Sequence, residues 1–236
     1  MQAKTGLCLL LLSFLWVPLA RGQATPAAVK DGSAGALLGP APEIFSPGVI
    51  SGPANDGSPT FAPDGNTVYF TRSTAAWGVI LESHKSQGKW SEPQVAPFSG
   101  EWSDSSPGMA PDGSFLVFVS LRPVKMPPAG EKASGLRANL YRVNRVGAGW
   151  SEPERMPDAV NIGPSIWKPS IAADGTIYFV SIDAKGGKRL FSSPFKNGVY
   201  EPAQPLSFSD GTTSDVDPEI APDGSFRNDI IRAQGR

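Results

Sequence analysis

Residues 60–72 read "TFAPDGNTVYFTR": a turn signal followed by an alternating strand pattern. Nearly the same phrase returns as "GMAPDGSFLVFVS" at 108–120 and as "SIAADGTIYFVS" at 170–181, and a fourth copy, "EIAPDGSF", stands at 219–226. Each copy centres on an Asp-Gly pair: Asp64 and Gly65, Asp112 and Gly113, Asp174 and Gly175, Asp223 and Gly224. By subtraction the aspartates lie 48, 62 and 49 residues apart. A self-similar period of that size marks repeated supersecondary units, not one continuous sheet.

Other landmarks keep the same register. A proline precedes each turn aspartate by five residues: Pro59, Pro107, Pro169 and Pro218. Eight residues before it stand Asp56, Asp104 and Asp215, with Ile166 as the exception. Downstream come "WSEP" at 90–93, "WSEP" at 150–153 and "YEP" at 200–202. The second unit is longer because of "RPVKMPPAGEKASGLRA", which reads as a surface-loop insertion that a repeat scaffold tolerates.

Each unit predicts four short antiparallel strands. The proline-bearing segment is the first, the run after Asp-Gly the second, "GVILESH", "NLYRVNR" or "RLFSSPF" the third, and a short stretch after Glu-Pro the fourth. Gly supplies positive φ at the turn and Asp caps it through its side chain. Four-stranded antiparallel units at this spacing are β-propeller blades. The fold class is therefore all-β. Three blades are complete, at about 56–103, 104–165 and 166–214, and a fourth opens at Asp215.

The phrases "SPTFAPDGNTVYF", "SPGMAPDGSFLVF" and "DPEIAPDGSF" resemble the WD40-like repeats of the TolB-type propeller family. The resemblance covers about residues 43–226. It implies a propeller. For function it implies a periplasmic binding platform or, as in some serine peptidases, blades that accompany a catalytic domain. In family propellers a segment like "EIFSPGVIS", 43–51, completes the last blade.

The ends read differently. Residues 1–22 have a basic start at Lys4, an apolar run from Leu7 to Leu19 and small residues after it, the pattern of a secretory signal peptide. That run is shorter than the roughly 20 residues of a membrane span. The expectation is a secreted chain, periplasmic in a Gram-negative source, with no membrane span after cleavage. Residues 23–42 are a Pro/Gly-rich flexible lead-in. Residues 227–236, within "RNDIIRAQGR", lose the strand pattern, so the sequence reads as a truncated or frameshifted copy of a longer propeller, or as a partial one that self-associates through its open edge.

Composition narrows function. Net charge is −1 with scattered Lys and Arg, so nucleic acid is not an expected partner. The single cysteine, Cys8, lies in the signal, leaving no thiolate metal site or disulfide. His84 is the sole histidine, and no G-x-S-x-G elbow accompanies it. No cofactor and no catalytic residue is assigned. Trp90, Trp150 and Tyr200 recur in register and predict packing between blades. Candidate ligand contacts at the channel mouth are Asp56, Asp104, Asp215, Asp217, Trp102 and Trp167. The aspartates could alternatively serve their own turns. The expected role is a non-catalytic binding or scaffold module for a protein, peptide or glycan. The alternatives are the propeller portion of a hydrolase, either a prolyl-oligopeptidase-like peptidase or a glycosidase, and a non-functional fragment.

Overall fold

The computed structural model describes residues 43–125, 128, 136–182 and 186–221. The predicted signal, the lead-in, the 227–236 tail, most of the loop insertion, and Asp223 and Gly224 lie outside the described residues. The compact unit runs from Ile44 onward.

The described elements are all strands. The first blade comprises β1 (Asn55–Phe61), β2 (Thr67–Ser73), β3 (Gly78–Ser86), β4 (Lys89–Trp90) and β5 (Gln94–Val95). The second comprises β6 (Asp104–Met109), β7 (Phe115–Ser120), β8 (Asn139–Val146), β9 (Gly149–Trp150) and β10 (Glu154–Arg155). The third comprises β11 (Ile166–Ile171), β12 (Ile177–Ile182), β13 (Lys188–Ser193), β14 (Phe195–Lys196), β15 (Val199–Tyr200) and β16 (Gln204–Pro205). Within each blade the first three long strands pair antiparallel in chain order. The short strand after Glu-Pro (β5, β10 or β16) returns to the third. The two-residue strands β4, β9 and β15 close hairpins at the blade rim.

The turns explain the repeated phrase. Gly65 N donates to Ala62 O at 2.9 Å, Gly113 N to Ala110 O at 2.8 Å, and Gly175 N to Ala172 O at 2.9 Å. Pro63 and Pro111 stand at the second turn position, where their fixed φ is already correct. The glycines carry φ of 66°, 72° and 85°, a left-handed bulge that costs other residues steric strain. Each aspartate then accepts the N–H two residues on, from Asn66, Ser114 and Thr176, at 2.9 Å in every case.

The core lies between blades. Tyr69, Ile80 and Phe98 of the first pack against Leu116, Phe118, Tyr141 and Val143 of the second. Val117, Val119 and Leu140 face Ile166, Ile177, Phe179 and Phe191 of the third. Strand β7 is therefore buried on both faces, which is why "FLVFVS" is an almost unbroken apolar run. Trp150 lies edge-on to Tyr69 and Phe98, each at 5.9 Å, and its Nε1–H donates to the Tyr69 hydroxyl at 3.2 Å. The outward face of the first blade, Val68, Phe70 and Leu81, is covered by Ile50. The 43–51 segment thus packs on the first blade and shields part of its apolar face.

Candidate functional site

The inner strands β1, β6 and β11 lie side by side, and residues 217–220 continue the series as the opening of a fourth. Thr60 Oγ1 accepts Met109 N–H at 3.0 Å, and Ser170 Oγ accepts Ile220 N–H at 3.0 Å. At the intervening junction there is no side chain. A Cβ on Gly108 would lie 2.6 Å from Pro169 O, so glycine is what lets β6 and β11 approach. These strands enclose a cavity of about 470 Å³.

One position is the same in every blade and is not a glycine. Ser58, Ser106, Lys168 and Asp217, each just before the repeated proline, have φ of 51°, 51°, 52° and 54°. Bulges in β1, β6 and β11 bracket this position. Left-handed backbone at a non-glycine residue costs roughly 1–2 kcal/mol, and here it recurs around one cavity that all four residues line. Lys168 Nζ donates to Ser58 Oγ at 2.6 Å, from the third blade to the first. It also forms an ion pair with Asp217 Oδ1 at 3.2 Å. None of the other described residues bonds the Ser106 hydroxyl, while its N–H is held by Thr71 Oγ1 at 2.8 Å. Glu219 lines the same cavity and is exposed.

The candidate contacts fall into two groups. Asp217 lines the cavity. The other three aspartates are taken up in internal bonds. Asp56 holds Arg72 through two bonds, 2.8 and 2.9 Å. Asp104 is fully buried, 2.6 Å from Arg122 Nη1, and accepts the Ser99 hydroxyl at 2.8 Å. Burial pushes the Asp104 carboxyl up, and Ser120, Arg122 and Ser99 oppose that. Asp215 accepts Ser209 Oγ at 2.6 Å and Thr213 Oγ1 at 3.0 Å. In both of the last cases the serine also accepts an N–H from the preceding blade's third strand, Ile80 or Leu190. The exception obeys the same logic. Where Ile166 replaces the aspartate, Asn161 replaces the serine, accepting Leu140 N–H at 2.6 Å and donating to Met156 O at 2.7 Å. Trp102 and Trp167 are half-buried and are not among the residues lining the cavity. His84 is exposed, bonded to Thr67 Oγ1 at 3.1 Å and 3.5 Å from Glu82. Among the described residues no cluster of three or more His, Cys, Asp or Glu could hold a metal.

Sequence reasoning passed over Ser58, Ser106 and Lys168. The available signal was their place before the proline, but four different environments filled it with three residue types.

The chain builds β-propeller blades. No protein-family profile matches it, and no curated protein is similar to it in sequence. Similar solved structures include TolB from Acinetobacter baumannii, 22% identical with a TM-score of 0.46, covering 71% of this chain and 35% of that one. A putative TolB from Agrobacterium tumefaciens is 18% identical with a TM-score of 0.48, covering 73% and 52%. An α-L-arabinofuranosidase from Podospora anserina is 15% identical with a TM-score of 0.44, covering 77% and 64%. The chain thus spans about a third to a half of the two TolB chains. These are likenesses of fold.

Proposed function

We propose that the chain is a non-catalytic propeller binding module that takes its ligand in the channel between the inner strands. The observation that carries this is the ring of Ser58, Ser106, Lys168 and Asp217, held in left-handed backbone around the 470 Å³ cavity. Strained backbone that recurs at one cavity and varies in side chain is a place where recognition can differ without changing the scaffold. Export is part of the reading, supported by the basic start and apolar run of residues 1–22.

The second reading is a propeller hydrolase. It draws on Asp217 and Glu219, two carboxylates on one cavity. Incubating the full chain with chromogenic aryl glycosides and peptide anilides separates the two. The binding reading predicts no turnover. Turnover abolished by Asp217→Asn or Glu219→Gln would replace it with the hydrolase reading.

A further inference from the structure

We infer that the channel ligand is a neutral saccharide end, held by hydroxyls shared among Lys168, Asp217, Ser58 and Ser106. This rests on the channel-binding reading above and adds the ligand's chemical class.

The polar ring mixes signs and roles. The Lys168 ammonium only donates, and the Asp217 and Glu219 carboxylates only accept when ionised. The Ser58 and Ser106 hydroxyls do both. An anion attracted by Lys168 would face two carboxylates. A cation attracted by them would face the ammonium. Either leaves a charge poorly matched. Sugar hydroxyls both donate and accept, so each can turn to suit whichever group it meets. The Lys168–Asp217 pair remains partly exposed, with 39% and 60% of the two side chains accessible, so a ligand reaches it without dismantling a buried pair.

The rest of the wall points the same way. Pro59 and Phe61 give the cavity an exposed apolar edge, Phe61 with 43% of its surface accessible, while Pro107, Pro169 and Pro218 lie buried beneath it. An exposed aromatic ring next to a few polar groups suits the C–H face of a pyranose with hydroxyls at its rim. The same prolines argue against an extended peptide. They have no N–H, so the inner strands offer few donors to an added strand. The volume is within the usual range for a small-molecule site.

The test uses the full chain, isotope-labelled, with cellobiose and maltose as probes and trilysine and triglutamate as peptide controls, each at millimolar concentration. Amide shifts report where a probe binds. The expected result is saturable shifts at Ser58, Ser106 and Lys168 with a disaccharide. Lys168→Met should weaken binding roughly tenfold or more, as for loss of one charge-assisted hydrogen bond. Ser106→Ala should weaken it by a smaller factor. Both variants should keep the parent's melting temperature, and the serine variant serves if the lysine variant is unstable. Channel shifts from a peptide and not from either disaccharide would overturn the saccharide class and leave channel binding standing. Shifts confined to another surface, or none from any probe, would overturn both.

Discussion

The Asp-Gly turns and the residues before the inner-strand prolines are both left-handed positions repeated once per blade, and they are filled in opposite ways. At the described turns the left-handed residue is always glycine, Gly65, Gly113 or Gly175. Around the channel it is Ser58, Ser106, Lys168 and Asp217 and never glycine. At the turns, residue identity repeats because it makes the backbone shape. Around the channel, the shape repeats while the side chains differ. A repeat protein can therefore vary recognition at one level of the blade while its folding chemistry stays fixed at another.

The largest expected effect removes the wall on which both levels stand. Phe118 is fully buried between the first two blades. Phe118→Ala should cost about 3–5 kcal/mol, read as a fall in the denaturant midpoint. Hydrogen exchange should then show turns and inner strands losing protection together. If the turns alone opened, the blades would not be one cooperative unit. Next is Gly108→Ala, whose Cβ would meet Pro169 O at 2.6 Å. About 1–3 kcal/mol should be lost as β6 and β11 are pushed apart. An unchanged melting temperature would show that these strands do not need close approach.

A reciprocal pair sharpens the contrast. Gly65 has φ of 66° with open space around it, so Gly65→Ala should cost about 1 kcal/mol through backbone strain alone. Ser106→Gly relieves the same strain but adds unfolded-state freedom, so stability should stay within about 1 kcal/mol of the parent or rise. Calorimetry on both variants decides. A clear loss with Ser106→Gly would mean that the hydroxyl is structural.

The smallest effect is acid sensitivity of one turn. The Ser114 hydroxyl and N–H, at 2.7 and 2.9 Å, hold the Asp112 carboxyl below the usual carboxylate range. A depressed folded value means that stabilisation is present above the unfolded value and lost as pH falls through the folded one. Asp112→Ala should therefore be less stable than the parent at neutral pH and converge with it in strong acid. A gap that persists in acid would contradict the cap.

Much of the scaffold was legible because its determinants are local. Asp-Gly spacing and the apolar run of β7 both report shape or burial within a few residues, whereas of the recurring aromatics Trp150 packs across to the first blade and Trp90 packs on Phe45 and Phe61. Some departures also become readable once the partner is known. Ser91 and Ser151 accept the N–H of His84 and Asn144. At the matching place in the third blade stands Pro194, which has no N–H, and there the Trp-Ser-Glu-Pro phrase has lost its serine. The aspartates eight residues before the turns were harder. Periodicity marked them as equivalent, but only the fold shows Asp104 and Asp215 reaching back through a serine to the preceding blade. Asp217 aside, the channel ring was not legible. Its signature is a dihedral angle, its residues differ, and its decisive contact joins residues 110 apart in sequence, Ser58 and Lys168.

The most direct measurement is a crystal structure of the chain at a resolution that fixes backbone dihedrals and the lysine rotamer. The account predicts left-handed backbone at residues 58, 106, 168 and 217, with the Lys168 ammonium between the Ser58 hydroxyl and the Asp217 carboxylate. Extended backbone at these positions, or a Lys168 side chain turned away from the channel, would contradict it.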